Sequence, residues 1–196
     1  HLIATRQYQN ETGWVSKMAL GNMFRTNPTR DAAGDLYRTL VAQSRTPEFY
    51  TNGGVPDSLD GRFDLVALHV ALVIARLKRA EPALNDLAQA LFDEMVANLD
   101  VGLREAGVGD MGVGRRMKKL VSAFYGRAQA YDQAFDQAEE GALVEALERN
   151  LFRAGTPAGD ATARMALYVR GQFDHLRTQP AEVIRLGRID FLPFTP

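Results

Sequence analysis

The stretch that decides the fold is LDGRFDLVALHVALVIARLKR (59–79). From Leu65 to Ala75 it is apolar on nearly every side, so a helix through it must be covered all round by neighbours. Asp57 or Ser58 can cap its start, and Arg76, Lys78 and Arg79 suit the negative end of its dipole. At 196 residues the chain can bury one real core. The expectation is an all-α fold, a single compact domain of six or seven helices around this central helix. His69 interrupts the apolar run. It reads as a buried histidine bonded to a neighbour. A haem or metal ligand is the other reading, and no second ligand stands at helical spacing from it.

Upstream, Asn27-Pro28 opens a helix with proline in the tolerated first turn. Ala33, Leu36, Tyr37, Leu40 and Val41 form its buried face, and Thr46-Pro47 stops it near Arg45. Residues 46–57 read as a loop anchored by Phe49 and Tyr50. Residues 1–23 lack a steady period. They read as an N-terminal extension, native or added ahead of a start at Met18 or Met23, and they carry no part of the functional reading.

Downstream, Glu81-Pro82 starts the next helix, with Leu84, Leu87, Leu91, Met95, Leu99 and Leu103 as its stripe. It runs into the unusual part of the chain, MVANLDVGLREAGVGDMGVGRRMKKLVSAFYGRAQAYDQAF (95–135). Gly107 closes one helix as a left-handed cap, and Asp110 is placed to cap the next. Met117, Leu120, Val121, Phe124, Ala128, Tyr131 and Phe135 then mark a buried face. Ala123, Ala130 and Ala134 would let a neighbour approach closely beside it. Gly107, Gly109 and Gly112 match G-x-G-x-x-G literally, but a dinucleotide site needs a strand before the glycines, and here a long helix precedes them.

Further on, Leu143, Val144, Leu147 and Leu151 drive a short helix. Residues 154–160 are a loop, and Asp160 caps a helix carrying Met165, Tyr168, Val169, Phe173 and Leu176. Pro180 begins a last short helix that Gly187 closes. The domain is read as 24–187. The tail at 188–196, with Ile189, Phe191, Leu192 and Phe194, is read as lying extended against the body. No stretch alternates convincingly with period two, so little or no sheet is expected.

Charge sharpens the corner at 107–112. The formal net charge of −1 makes DNA an unexpected partner for the chain as a whole. Residues 101–130 nevertheless carry six bases, Arg104, Arg115, Arg116, Lys118, Lys119 and Arg127, against two acids, Glu105 and Asp110. Cations early in a helix oppose its dipole. Acids on neighbouring helices or an anionic partner must offset them. Arg104, Arg116 and Arg127 can pair internally with Asp60, Asp64 or Asp100. Left free, the six would form a partner-binding patch.

Catalytic signatures are missing. There is no H-E-x-x-H, P-loop or G-x-S-x-G. Without cysteine there are no disulfides and no thiolate metal sites. Three histidines, one of them terminal, leave little for a Ser–His device. No metal or cofactor is expected. No apolar run reaches the roughly 20 residues a membrane span needs. Two alternatives stay open: a haem carrier using His69 or His175, and a small helical enzyme with a site near Asp64, His69 and Tyr125.

Four segments carry a family likeness: Gly54-Val55-Pro56-Asp57, LDGRFDLVALHVALVIARLK (59–78), residues 91–135, and ALVEALERNLF (142–152). Within them Asp60, Gly61, Arg62, Phe63, Asp64, His69, Arg104, Gly107, Gly109, Asp110, Lys118, Tyr125, Gly126, Arg127 and Tyr131 fall on the pattern. Over roughly residues 30–155 the chain resembles the ubiquinol–cytochrome c chaperone family, assembly factors for the cytochrome bc1 complex. The resemblance implies an all-helical chaperone that holds newly made cytochrome b until it receives haem. It also implies work alongside a small partner subunit and at the ribosome exit in mitochondrial members. A chain with no obvious transit peptide looks like a bacterial relative, cytoplasmic and near the inner-membrane surface; a eukaryotic one would act on the mitochondrial matrix side.

Overall fold

The computed structural model describes residues 27–195 apart from Ala138, Ala154, Thr156 and Ala158, so the N-terminal extension lies outside the described residues. The described residues form α1 (Pro28–Ser44), α2 (Glu48–Thr51), α3 (Leu59–Ala80), a 3-10 turn (Pro82–Leu84), α4 (Asn85–Glu105), α5 (Asp110–Phe135), α6 (Glu140–Asn150), α7 (Ala161–Thr178) and α8 (Ala181–Arg185). No strand occurs among them.

α3 is the axis. Leu65, Leu68, Leu72 and Leu77 have no exposed surface, and every residue from Ala67 to Leu77 is buried. α1, α4, α5 and α7 pack against it. α1 lies along α4, and α6 closes the far side between α5 and α7. The all-round burial foreseen for 65–75 is met by four helices, because no single neighbour can cover more than one stripe of a cylinder.

Local chemistry sets the helix starts. Asn27 accepts bonds from the Thr29 and Arg30 amides at 3.2 and 3.4 Å, and Ser58 accepts from the Gly61 amide at 3.1 Å. Two arginines close helix ends from a distance. Arg76 donates to the carbonyls of Leu176 and Gln179 at 2.7 and 2.8 Å, and Arg170 donates to those of Ala134, Phe135 and Gln137. Each satisfies carbonyls that a helix C-terminus leaves free and places a cation at the negative end of its dipole.

The 46–57 segment departs from the expected loop by winding one helical turn, α2. Its amides bond back within the segment, with Thr51 and Asn52 donating to Pro47 and Glu48. That turn drives Phe49, fully buried, against Phe194, Tyr168 and His69, with ring centroids 4.8, 5.0 and 5.6 Å away. The tail runs without helix or strand and is tied to the body. Gln172 both donates to the Leu192 carbonyl and accepts from its amide, at 2.7 and 3.1 Å. Gln179 does the same for Asp190.

Gly61 sits where a Cβ would lie 2.1 Å from the Pro56 carbonyl oxygen. Backbone cannot yield there as a flexible side chain would. Gly61→Ala is expected to lower stability by at least about 2 kcal/mol, read as a drop in the denaturant midpoint with an unchanged m-value. An unaltered midpoint would mean that the turn into α3 is looser than drawn.

Candidate functional site

α4 ends in a Schellman arrangement. Gly107, at φ +79°, donates to the Arg104 carbonyl at 2.9 Å, and Val108 donates to that of Leu103 at 3.0 Å. α5 begins at once, with Gly109 as its N-cap. Asp110 does not cap the helix as expected. Its carboxylate accepts from Arg104 at 2.5 Å, while the same guanidinium takes Asp100 at 2.7 Å. Arg104 therefore clamps the last turn of α4 to the first turn of α5.

The corner stands off the body. No residue of α4 beyond Met95 is buried, and before Phe124 the only buried residue of α5 is Val113, which lies outside the main core cluster. Met117, Leu120 and Val121, expected to be buried, are only partly buried, on the stretch of α5 that lies outside the main core cluster.

On α5, Met111, Arg115, Lys118, Ser122 and Tyr125 repeat at steps of three and four, with Lys119 beside them, and all six are exposed. Met111 is 92% exposed and Tyr125 56%; the Tyr125 ring leans on Phe92, with centroids 5.1 Å apart. No acid occurs from 111 to 131. Among the described residues, Arg115, Arg116, Lys118 and Lys119 make no ion pair, whereas Arg104 and Arg127 do.

Arg127 does not join that face. It is set inside the fold, 7% exposed, with its guanidinium 3.0 Å from the Asp64 carboxylate and 5.5 Å from the centre of the Phe63 ring. Arg153 holds the other oxygen of Asp64 at 3.0 Å and reaches towards Asp60 at 3.7 Å. Burial pushes the Asp64 carboxyl upward in pKa, against the opposing pull of Arg127 and Arg153. Tyr131, buried nearby, is likewise raised by burial. Arg62 pairs with Asp57 at 2.7 Å on the surface, and Gly126 faces open space.

The sequence profile described as "Ubiquinol-cytochrome C chaperone" matches residues 51–191. The chain belongs to the ubiquinol–cytochrome c chaperone family. The match runs past the segments that carried the resemblance, through α7 and into the tail, which fits the tail's bonds to Gln172 and Gln179. The chain is 24% identical to the frog (Xenopus laevis) ubiquinol-cytochrome-c reductase complex assembly factor 1 over 163 residues, 83% of this chain and 81% of that protein. It is 23% identical to the human assembly factor 1 over the same share of the chain, but spans only 54% of that protein's length. The crystal structure of the Cbp3 homolog from Brucella abortus superposes with a TM-score of 0.76 at 37% identity, covering 90% of this chain and 98% of that one.

The family's histidine position, His69, is spoken for on both ring nitrogens. Nδ1–H donates to the Leu65 carbonyl at 2.8 Å with Ser44 Oγ at 3.1 Å, and Nε2 accepts from the Tyr168 hydroxyl at 2.9 Å. Tyr168 in turn accepts from Gln43 at 3.0 Å. Burial lowers the His69 pKa to about 4. His175 lies near the surface and pairs with Asp190 at 2.8 Å. Among the described residues, no three His, Cys, Asp or Glu side chains cluster as a metal site. Asp64, His69 and Tyr125, the trio of the enzyme alternative, do not form one site. Asp64 belongs to the α5–Arg153 network, His69 to the α1–α7 network, and Tyr125 stacks on α4.

Two outcomes test these networks. Removing Arg127 strands a buried carboxylate with only Arg153 beside it. Arg127→Ala is expected to cost about 3 kcal/mol in urea unfolding, and an effect within noise would overturn the internal role. His69 is neutral when folded and titrates near 6.5 when unfolded, so protons favour the unfolded chain as pH falls. Its contribution is complete above pH 6.5 and declines towards pH 4, by about 3 kcal/mol in all. His69→Gln should flatten that part of the stability–pH curve.

Proposed function

We propose that this chain is an assembly chaperone for ubiquinol–cytochrome c reductase, the bc1 complex, and that it binds newly made cytochrome b without making or breaking a bond. Family membership supports the reading, as do relatives whose names are those of assembly factors for that complex. The observation that carries it is the exposed, acid-free face of α5 with Arg115, Lys118 and Lys119, flanked by Arg116. Unpaired cations so near a helix N-terminus work against the helix dipole. An anionic partner offsets that cost. Arg104 and Arg127 support the face from behind, one by clamping the corner and the other by anchoring α5 to α3.

The mechanism is capture. Positive charge on a projecting pair of helices steers acidic loops of a client towards it and weakens as salt rises. Among the described residues, no helix is long and apolar enough to cross a membrane. In this reading a membrane-bound client is met at the membrane surface, on the cytoplasmic side in a bacterium.

Lys118 and Lys119 are exposed. Lys118→Glu with Lys119→Glu is expected to leave the melting temperature within about 2 °C, to cut cytochrome b co-purification at least tenfold, and to fail to restore bc1 in cells lacking the gene. Normal bc1 levels with this variant would remove the charged face from the mechanism. Normal bc1 levels in the deletion itself would remove the function.

A further inference from the structure

Beside the corner lies an open groove of about 690 Å³ that the charged face does not use. α1 and α4 form its walls with Tyr37, Val41 and Leu99, and Phe63 and Val66 of α3 form the floor. Tyr50 closes one end, its hydroxyl held by the Ser44 carbonyl at 2.8 Å. Leu59, 74% exposed, stands at the rim in the first turn of α3. That is a position where a leucine gains nothing from its own fold. Arg45 also lines the rim and, among the described residues, has no side-chain ion pair or hydrogen bond; the neighbouring Arg62 is taken by Asp57.

We infer that this groove is a docking site for an apolar helical segment of the client, carrying an acidic residue that meets Arg45. The inference rests on the chaperone reading above and names what the client presents. A helical segment suits this groove because its walls are helices with little backbone left to pair with an extended strand. Past their first turns α1, α3 and α4 spend their amides internally, and in the loop Phe49, Tyr50, Thr51, Asn52, Gly53 and Val55 all donate to carbonyls of their own segment. An extended peptide laid there would bury its own amides unsatisfied, whereas a helix brings its backbone already paired. Helical walls and an apolar floor suit side chains spaced i, i+3, i+4 and i+7. The free Arg45 then selects the sign of charge at the segment's end. Leu99 in the wall and Arg104 at the clamp lie on one helix. A client steered by α5 therefore arrives beside the groove.

The test uses the full chain and three fluorescent 18-residue peptides. One has leucines at helical spacing and a terminal glutamate, one has lysine in its place, and one has two central prolines. The wild type is expected to bind the glutamate peptide at least tenfold more tightly than the proline peptide. Leu59→Glu should weaken that binding at least tenfold, and Arg45→Glu should reverse the preference between glutamate and lysine. Both positions are exposed, and unchanged melting curves will show that the fold is kept. Equal binding of the proline peptide, or indifference to both substitutions, overturns the groove. So does a Leu59→Glu chain that loses the peptide yet restores bc1 fully, an outcome that leaves the chaperone function standing. If bc1 persists in the deletion, the chaperone reading falls and the groove's client falls with it.

Discussion

A helix buried on every side can keep polar groups only if each finds its partner on a neighbour, and α3 carries three. Asp64 is answered by Arg127 of α5 and by Arg153. His69 is answered by Tyr168 of α7 and Ser44 of α1. Arg76 is answered by the carbonyls that end α7. Apolar packing is non-directional and tolerates sliding, but an unpaired buried polar group is costly. The three groups therefore fix the register of α1, α5 and α7 on the axis, which leucines alone would leave loose. The tail depends on the same arrangement, since Phe191 and Phe194 close over the ring cluster that His69, Phe49 and Tyr168 build.

The α4–α5 corner follows from this frame by excess. α5 is 26 residues long and is anchored to α3 through Arg127, so its first four turns run beyond the helices that could cover them. Those turns pack against the end of α4, closed by Gly107 and the Arg104 clamp. The outcome is a protrusion closed by its own hydrogen bonds and charged on its outer face. Ion pairing divides the six bases by role. Arg104 and Arg127 meet acids and hold structure, while Arg115, Arg116, Lys118 and Lys119 face solvent. The groove at the foot of the protrusion has the opposite character, mainly apolar with Arg45 at its rim. In the proposed mechanism the first surface supplies charge for encounter and the second hydrophobic area for retention.

Much of this was legible in the residues. Leu65–Ala75 announced a central helix because apolar residues on all sides of one cylinder have a single physical meaning. Asn27, Ser58, Gly107 and Gly187 marked helix ends because capping and left-handed backbone are local chemistry. Phe49 as a core anchor and the tail as a strap also followed from residues too apolar to leave in water. The family likeness rested on motif residues spread across α3 to α6, and it gave the function its name where periodicity could not.

The sequence by itself determined the long helices, the central element and the presence of a basic corner, since each depends on residues within a few turns of one another. Only the tertiary structure decided how the six bases are used, because Arg127 finds Asp64 across 63 positions of chain while Arg116 meets no acid among the described residues. It also decided that Asp110 serves a clamp and not a cap, that α5 outruns its cover, and that α1, α3 and α4 leave a groove between them. Each of these depends on where one helix stops relative to another, a distance set by packing in three dimensions and not by any local pattern of residues.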